Sequence, residues 1–119
     1  MNLYLDHNIY IECLTNKKLL SFIINQRYEK DIQILYSYAH MEELFYAETM
    51  EKSSHKDDAK RIMHLIGKVT KNMEIRKWGK GLVITSEPTL LCYDRVRSFN
   101  TTKIVEDSSQ YREPLKTPL

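Results

Sequence analysis

Residues Asn2–Leu14 read NLYLDHNIYIECL, and how they are read decides the fold. The apolar run Leu3-Tyr4-Leu5 stops at Asp6, His7 and Asn8. Beyond it, Ile9, Tyr10, Cys13 and Leu14 fall at helical spacing. A short buried strand over 2–5 therefore hands over to a helix from about Asn8. Thr15-Asn16 interrupts the pattern, and Leu19, Leu20, Phe22, Ile23 and Ile24 carry a second helical piece to about Glu29. Lys30-Asp31 is a turn. The same handover then recurs: "IQILYS" (Ile32–Ser37) has the β-branched and aromatic content of a strand, and Ala39–Met50 follows at once with strong helix formers. Two strands joined by a long helical crossover are expected to be parallel neighbours with a right-handed connection.

Further along, Glu51–Lys56 is a polar loop in which Ser53 or Ser54 can cap a helix with Asp57 and Asp58 in its first turn. That helix carries Ile62, Leu65, Ile66 and Val69 on one stripe and ends near Asn72. Met73–Thr85 alternates about Gly79 and Gly81, as strand, turn and strand. Pro88 is placed to open a helix over 87–100, with Leu90, Leu91, Tyr93 (or Asp94) and Val96 behind it. Ile104-Val105 could end a further strand. The residues from Ser108 are polar, contain Pro114 and Pro118, and read as a flexible tail. The order β-α-(α)-β-α-α, hairpin, helix gives an α/β domain over 1–107 with a tail over 108–119.

At 119 residues the chain fits one domain, and 42% hydrophobic with 29% charged residues places it among soluble globular proteins rather than disordered ones. Eighteen basic against 16 acidic residues leave +2, which neither requires nor excludes a nucleic-acid partner. Cys13 and Cys92 lie in apolar contexts and read as buried thiols of a reducing compartment, with a single disulfide as the alternative. No basic-then-apolar leader opens the chain, and no apolar run approaches ~18 residues. A cytoplasmic protein without a membrane span is expected.

Ligands of open parallel sheets bind outside the carboxyl ends of the strands. Asp6 ends the first strand and Ser37 the second, and the helix after Ser37 carries His40, Glu42 and Glu43. Asp6 with a carboxylate from that helix is the start of a hard-oxygen site suited to Mg²⁺ or Mn²⁺. Adjacent Glu42 and Glu43 point about 100° apart, so one of them faces the sheet edge. Glu43 is the better inward candidate, with Leu44, Ala47, Tyr36 and Ala39 toward the core. Each residue also has a plainer reading. Asp6 can simply cap the helix, worth about 1 kcal/mol. Both glutamates can lie on a solvated face. His40 can contact a phosphate or hydrogen-bond a backbone group. His7 is expected to face solvent or cap the strand. A single His40-x-x-Glu43 is a weak sign of zinc or di-iron chemistry. The basic residues Lys56, Lys60, Arg61, Lys68, Lys71, Arg76, Lys77 and Lys80, then Arg95, Arg97 and Lys103, with Trp78 and tyrosines interleaved, suit phosphate contact or an ordinary solvated face.

"YLDHNIYIECL" resembles the opening of PIN-domain nucleases, where a short strand delivers an Asp-x-Asn triplet and a helix begins immediately. "YSYAHMEELFYA" resembles that family's second landmark, a strand ending in Ser that leads into a helix bearing Glu-Leu and then an aromatic-small pair. The likeness covers roughly the first half of the chain. It implies a PIN-like fold, a short and mainly parallel sheet flanked by helices. It also implies metal-dependent ribonuclease activity with Asp6 and Glu43 as metal-binding catalytic acids, Mg²⁺ or Mn²⁺ as the ion, and RNA as substrate. Asn8, Ser37 and His40 would support the acids. A toxin–antitoxin or defence setting, an antitoxin or other protein partner, and a homodimer belong to the same expectation. The family's two later acids have no clean counterpart. Glu42, Asp94, Glu106 and Asp107 are the weaker candidates, and the chain reads as a shortened member or the front of a longer one. The alternative is a non-catalytic PIN-like module binding nucleic acid or protein. A regulator in which Asp6 is only a cap is a third reading.

Overall fold

In a computed structural model, residues 1–50 and 56–110 are described, the side chains of 50, 56, 57 and 101–110 excepted. The elements are β1 (Asn2–Tyr4), α1 (His7–Cys13), α2 (Lys17–Glu29), β2 (Gln33–Leu35), α3 (Tyr38–Met50), α4 (Lys56–Thr70), β3 (Met73–Trp78), β4 (Gly81–Ser86) and α5 (Thr89–Gln110). The protein is an α/β domain.

β1 and β2 pair in parallel, with Leu3 opposite Ile34. β3 and β4 form an antiparallel hairpin in register Ile75–Ile84, and Gly79 takes a φ of +62° at its tip, the left-handed region where a side chain is strained. One parallel bridge, Tyr36 to Glu74, joins the two pairs: Tyr36 N–H donates to Met73 O at 3.0 Å, and Ile75 N–H to Tyr36 O at 2.8 Å. The strands thus run β1-β2-β3-β4 across the molecule. β1 was expected to be buried, yet all three of its residues are exposed. It is an edge strand: among the described residues nothing pairs with its far side.

The break between α1 and α2 is a cap. Asn16 accepts from Leu19 N–H at 3.0 Å and starts the second helix. α4 shows the anticipated stripe, with Ile62, Ile66 and Val69 buried beside Met63. It stops two residues early, because Lys71 and Asn72 both adopt positive φ and turn the chain into β3. The core is closed by Tyr10 of α1, Ile34 and Tyr36 around β2, Met41 and Leu44 of α3, and Cys92, Tyr93 and Val96 of α5. α3 packs against both α4 and α5.

Several expectations are corrected. Ala39 is exposed and Ala47 only partly buried. Leu90 and Leu91 are exposed: α5 turns the expected Tyr93 and Val96 inward together with Cys92. Ile104-Val105 ends no strand: α5 runs unbroken through it to Gln110, so the first three residues of the anticipated tail are helical. The proposed caps Ser53 and Ser54, and residues 111–119, lie outside the described residues. Cys13 and Cys92 are free buried thiols. No helix among the described residues is long and apolar enough to cross a membrane.

Candidate functional site

The ends of β1 and β2 are locked together by His40. Its Nδ1 accepts from Ser37 N–H at 3.1 Å, and its Nε2 lies 2.8 Å from Leu5 O. A backbone amide can only donate and a carbonyl only accept, so the ring is the neutral Nε2–H tautomer. Tyr4 stacks on the ring at 4.6 Å and Tyr10 meets it edge-on at 5.5 Å. Burial pushes the imidazole below its usual range, and the bond to Leu5 O, with the Glu43 and Asp6 carboxylates, only partly opposes this. Of its two sequence readings, the structure selects the buried histidine bonded to backbone. Ser37 is the cap of α3: its Oγ accepts from Ala39 N–H at 3.2 Å and meets Tyr4 OH at 2.8 Å.

Around this clamp lies a rim of exposed groups. Asp6 occupies the position before α1 with extended backbone, but its side chain makes no capping hydrogen bond. The bond that a pure cap would form is therefore not made. Asn8 is exposed on the same turn. Glu43, one turn into α3, is 58% exposed and not inward, whereas Glu42 is the partly buried one. Glu43 nevertheless comes to the end of β1, since its Oε2 lies 3.9 Å from Nδ1 of His7, the residue after Asp6.

His7 was expected to face solvent or cap the strand; instead it is buried. Its Nδ1 lies 3.9 Å from Glu43 Oε2, beyond hydrogen-bond reach, and has no partner. The signal was present in the sequence. Stepping back three residues from Tyr10 on the helical stripe reaches His7.

A second cluster was not foreseen. Glu74 of β3 is 1% exposed and faces Glu87 and Cys92. Arg76 reaches Glu74 Oε1 at 2.6 Å and Glu87 Oε1 at 3.1 Å. Arg95 of α5 bonds Glu87 at 2.6 and 3.2 Å and Glu74 Oε2 at 3.3 Å. The Arg95 hydrogen bond holds the Glu87 carboxyl below its usual range. Burial, reinforced by Glu74, pushes the Cys92 thiol up to about 12. Among the described residues, this is where three His, Cys, Asp or Glu donor atoms lie within 4.8 Å of one another. With two guanidinium groups already against its two carboxylates, the cluster is electrically closed and leaves no charge for a cation. Tyr38 stands between the two regions: Arg95 lies 5.6 Å above its ring, while burial and the Glu42 carboxylate raise its hydroxyl.

The remaining candidates do not join the rim. Asp94 pairs with Arg97 at 3.0 Å and lines a different hollow, with Glu48, Lys60 and His64. Glu106 and Asp107 lie on α5, and their side chains are outside the described residues. A hard dication takes one or two carboxylates and keeps water on its other positions, and exposed Asp6 and Glu43 are carboxylates of the kind that could hold one. The Asp6, His7 and Glu43 donors do not all fall within 4.8 Å, so gathering them on one ion takes rotation of the two exposed acids. Compared with known proteins, the chain matches no family model, no curated protein and no solved structure.

Proposed function

We propose that the protein is a PIN-like, metal-dependent ribonuclease whose site is the rim formed by Asp6 and Glu43. The observation that carries this reading is their placement. Asp6 follows β1, Glu43 lies on the helix that follows its parallel neighbour β2, and His7, the residue after Asp6, comes within 3.9 Å of Glu43. Asp6 and Glu43 would hold Mg²⁺ or Mn²⁺. Such an ion, when bound, lends positive charge to the phosphodiester and eases activation of water. His40 holds the two strand ends at fixed spacing, and Ser37 starts α3 so that Glu43 comes round to the rim. Exposed Lys77, Trp78 and Lys80 at the hairpin tip, with Lys60, Lys68 and Lys71, offer phosphate contact and base stacking to RNA.

A second reading has its own support. Buried Glu74 and partly buried Glu87 are neutralised by Arg76 and Arg95, so neither is free to add a carboxylate to the rim. A non-catalytic module binding RNA or a protein partner would look the same. Cleavage of single-stranded RNA in Mn²⁺ separates the two. The nuclease cuts, stops on chelation, and loses most turnover in both Asp6→Asn and Glu43→Gln. The binding module retains RNA without cutting it. Its affinity then falls as salt rises and tracks the lysines rather than the acids.

A further inference from the structure

His7 presents a cost without an evident return. Its side chain is 91% buried by the measure that leaves 9% exposed, and its Nδ1 is shut off from solvent with no hydrogen bond. Leaving a buried polar atom unpaired forfeits its hydration with nothing gained in exchange. The atom is aimed at Glu43 Oε2, 3.9 Å away. The gap is too long for a hydrogen bond, and bringing it to the roughly 3–3.5 Å that separates neighbouring donors on one ion takes a small rotation of the exposed Glu43 side chain. His40 cannot play this part, since both of its ring nitrogens are taken by backbone groups.

We propose that His7 Nδ1 is a third, nitrogen ligand at the Asp6–Glu43 rim, making it a site for a transition-metal dication such as Mn²⁺ in preference to Mg²⁺. This rests on the rim being a cation site. The division of labour follows from burial. The His7 ring is held by packing and provides the fixed donor, while exposed Asp6 and Glu43 swing in from solvent at little cost. An imidazole nitrogen suits first-row transition metals and adds little for Mg²⁺, which favours an all-oxygen shell.

Pulsed electron paramagnetic resonance of Mn²⁺ bound to the full chain tests it, with Mn²⁺ and Mg²⁺ affinities measured by calorimetry. In the wild type the manganese signal should carry coupling to a directly bound nitrogen. That coupling should change on ¹⁵N-histidine labelling, which needs no variant. His7→Phe keeps the ring volume and removes both nitrogens, and His7→Gln is the second choice if the first does not fold. Either should abolish the coupling and weaken Mn²⁺ by about tenfold or more while leaving Mg²⁺ nearly unchanged. Mn²⁺ that binds in an Asp6- and Glu43-dependent way without nitrogen coupling overturns the His7 ligand and leaves the rim reading standing. Coupling that survives in a folded His7 variant also overturns it. Equal Mn²⁺ affinity in wild type and Asp6→Asn removes the rim site and this proposal together.

Discussion

Glu74 and Glu87 lie between two guanidinium groups beside the end of β2, whereas Asp6 and Glu43, toward β1, have no arginine against them among the described residues. The first pair is buried at Glu74 and partly buried at Glu87, and its charge is answered inside the protein. The second is exposed and its charge is left to whatever arrives. Carboxylates of one chemical type thus serve opposite ends. One set fastens β3, the β4–α5 connection and α5 together, and the other keeps negative charge available at an edge. The contrast can be broken by experiment, most strongly at the closed end.

Arg95→Met should cause the largest loss. It leaves Glu74, 1% exposed, with Arg76 as its sole ion-pair partner, and strips both oxygens of Glu87 of their Arg95 bonds. Removing one partner from a buried pair costs roughly 3–5 kcal/mol, and the 43% exposure of the Arg95 side chain moves the expectation to the lower end. A Tm fall of roughly 10 °C or more in thermal denaturation is expected. A change equivalent to less than about 1 kcal/mol would class the cluster with ordinary surface pairs.

An intermediate effect is expected from acid. His40 is neutral in the folded protein with its pKa lowered by burial, so the unfolded chain binds the proton first. Stability is then complete above the ordinary histidine range, near pH 6.5, and declines as pH falls below it, with a limiting slope of about 1.4 kcal/mol per pH unit. Urea denaturation at a series of pH values should show this decline in wild type and lose that component in His40→Gln. A flat profile would mean that the clamp opens before it titrates.

The smallest effects belong to the rim. Asp6 makes no capping bond and Glu43 is 58% exposed, so Asp6→Asn and Glu43→Gln should each move metal-free stability by no more than about 0.5 kcal/mol. A loss above about 1 kcal/mol in Asp6→Ala, recovered in Asp6→Asn, would restore the capping role that the geometry denies.

Much of this architecture could be read locally. The β1–α1 and β2–α3 handovers, the α4 stripe and the Gly79 hairpin each follow from periodicity or one turn residue, and they fall close to where the spacing puts them. The parallel pairing of β1 with β2 was also legible, and it sets the start of α1 beside the start of α3. What could not be read is set by distant packing. Glu74 and Arg76 lie two apart on one strand face, which on sequence looks like a solvated pair. Only the approach of α5, bringing Cys92 and Arg95 over them, buries the acid. The inward face of α5 is legible only in part for the same reason: Tyr93 and Val96 face the core as their spacing predicts, whereas Leu90 and Leu91 are exposed and Cys92 takes the remaining core position.

One bond of the clamp has a consequence for dynamics. The Ser37 amide hydrogen is held by an imidazole lone pair and not by a carbonyl. A carbonyl acceptor survives acid, while this one disappears the moment the ring takes a proton. Deuterium uptake at Ser37 should therefore run against the general trend, in which backbone exchange slows as hydroxide becomes scarce. At neutral pH this amide would be protected, and once the pH falls below the lowered pKa of the His40 ring it would lose protection while the amides of α4 keep theirs. A single backbone position thus becomes an internal gauge of whether the two strand ends are still fastened together.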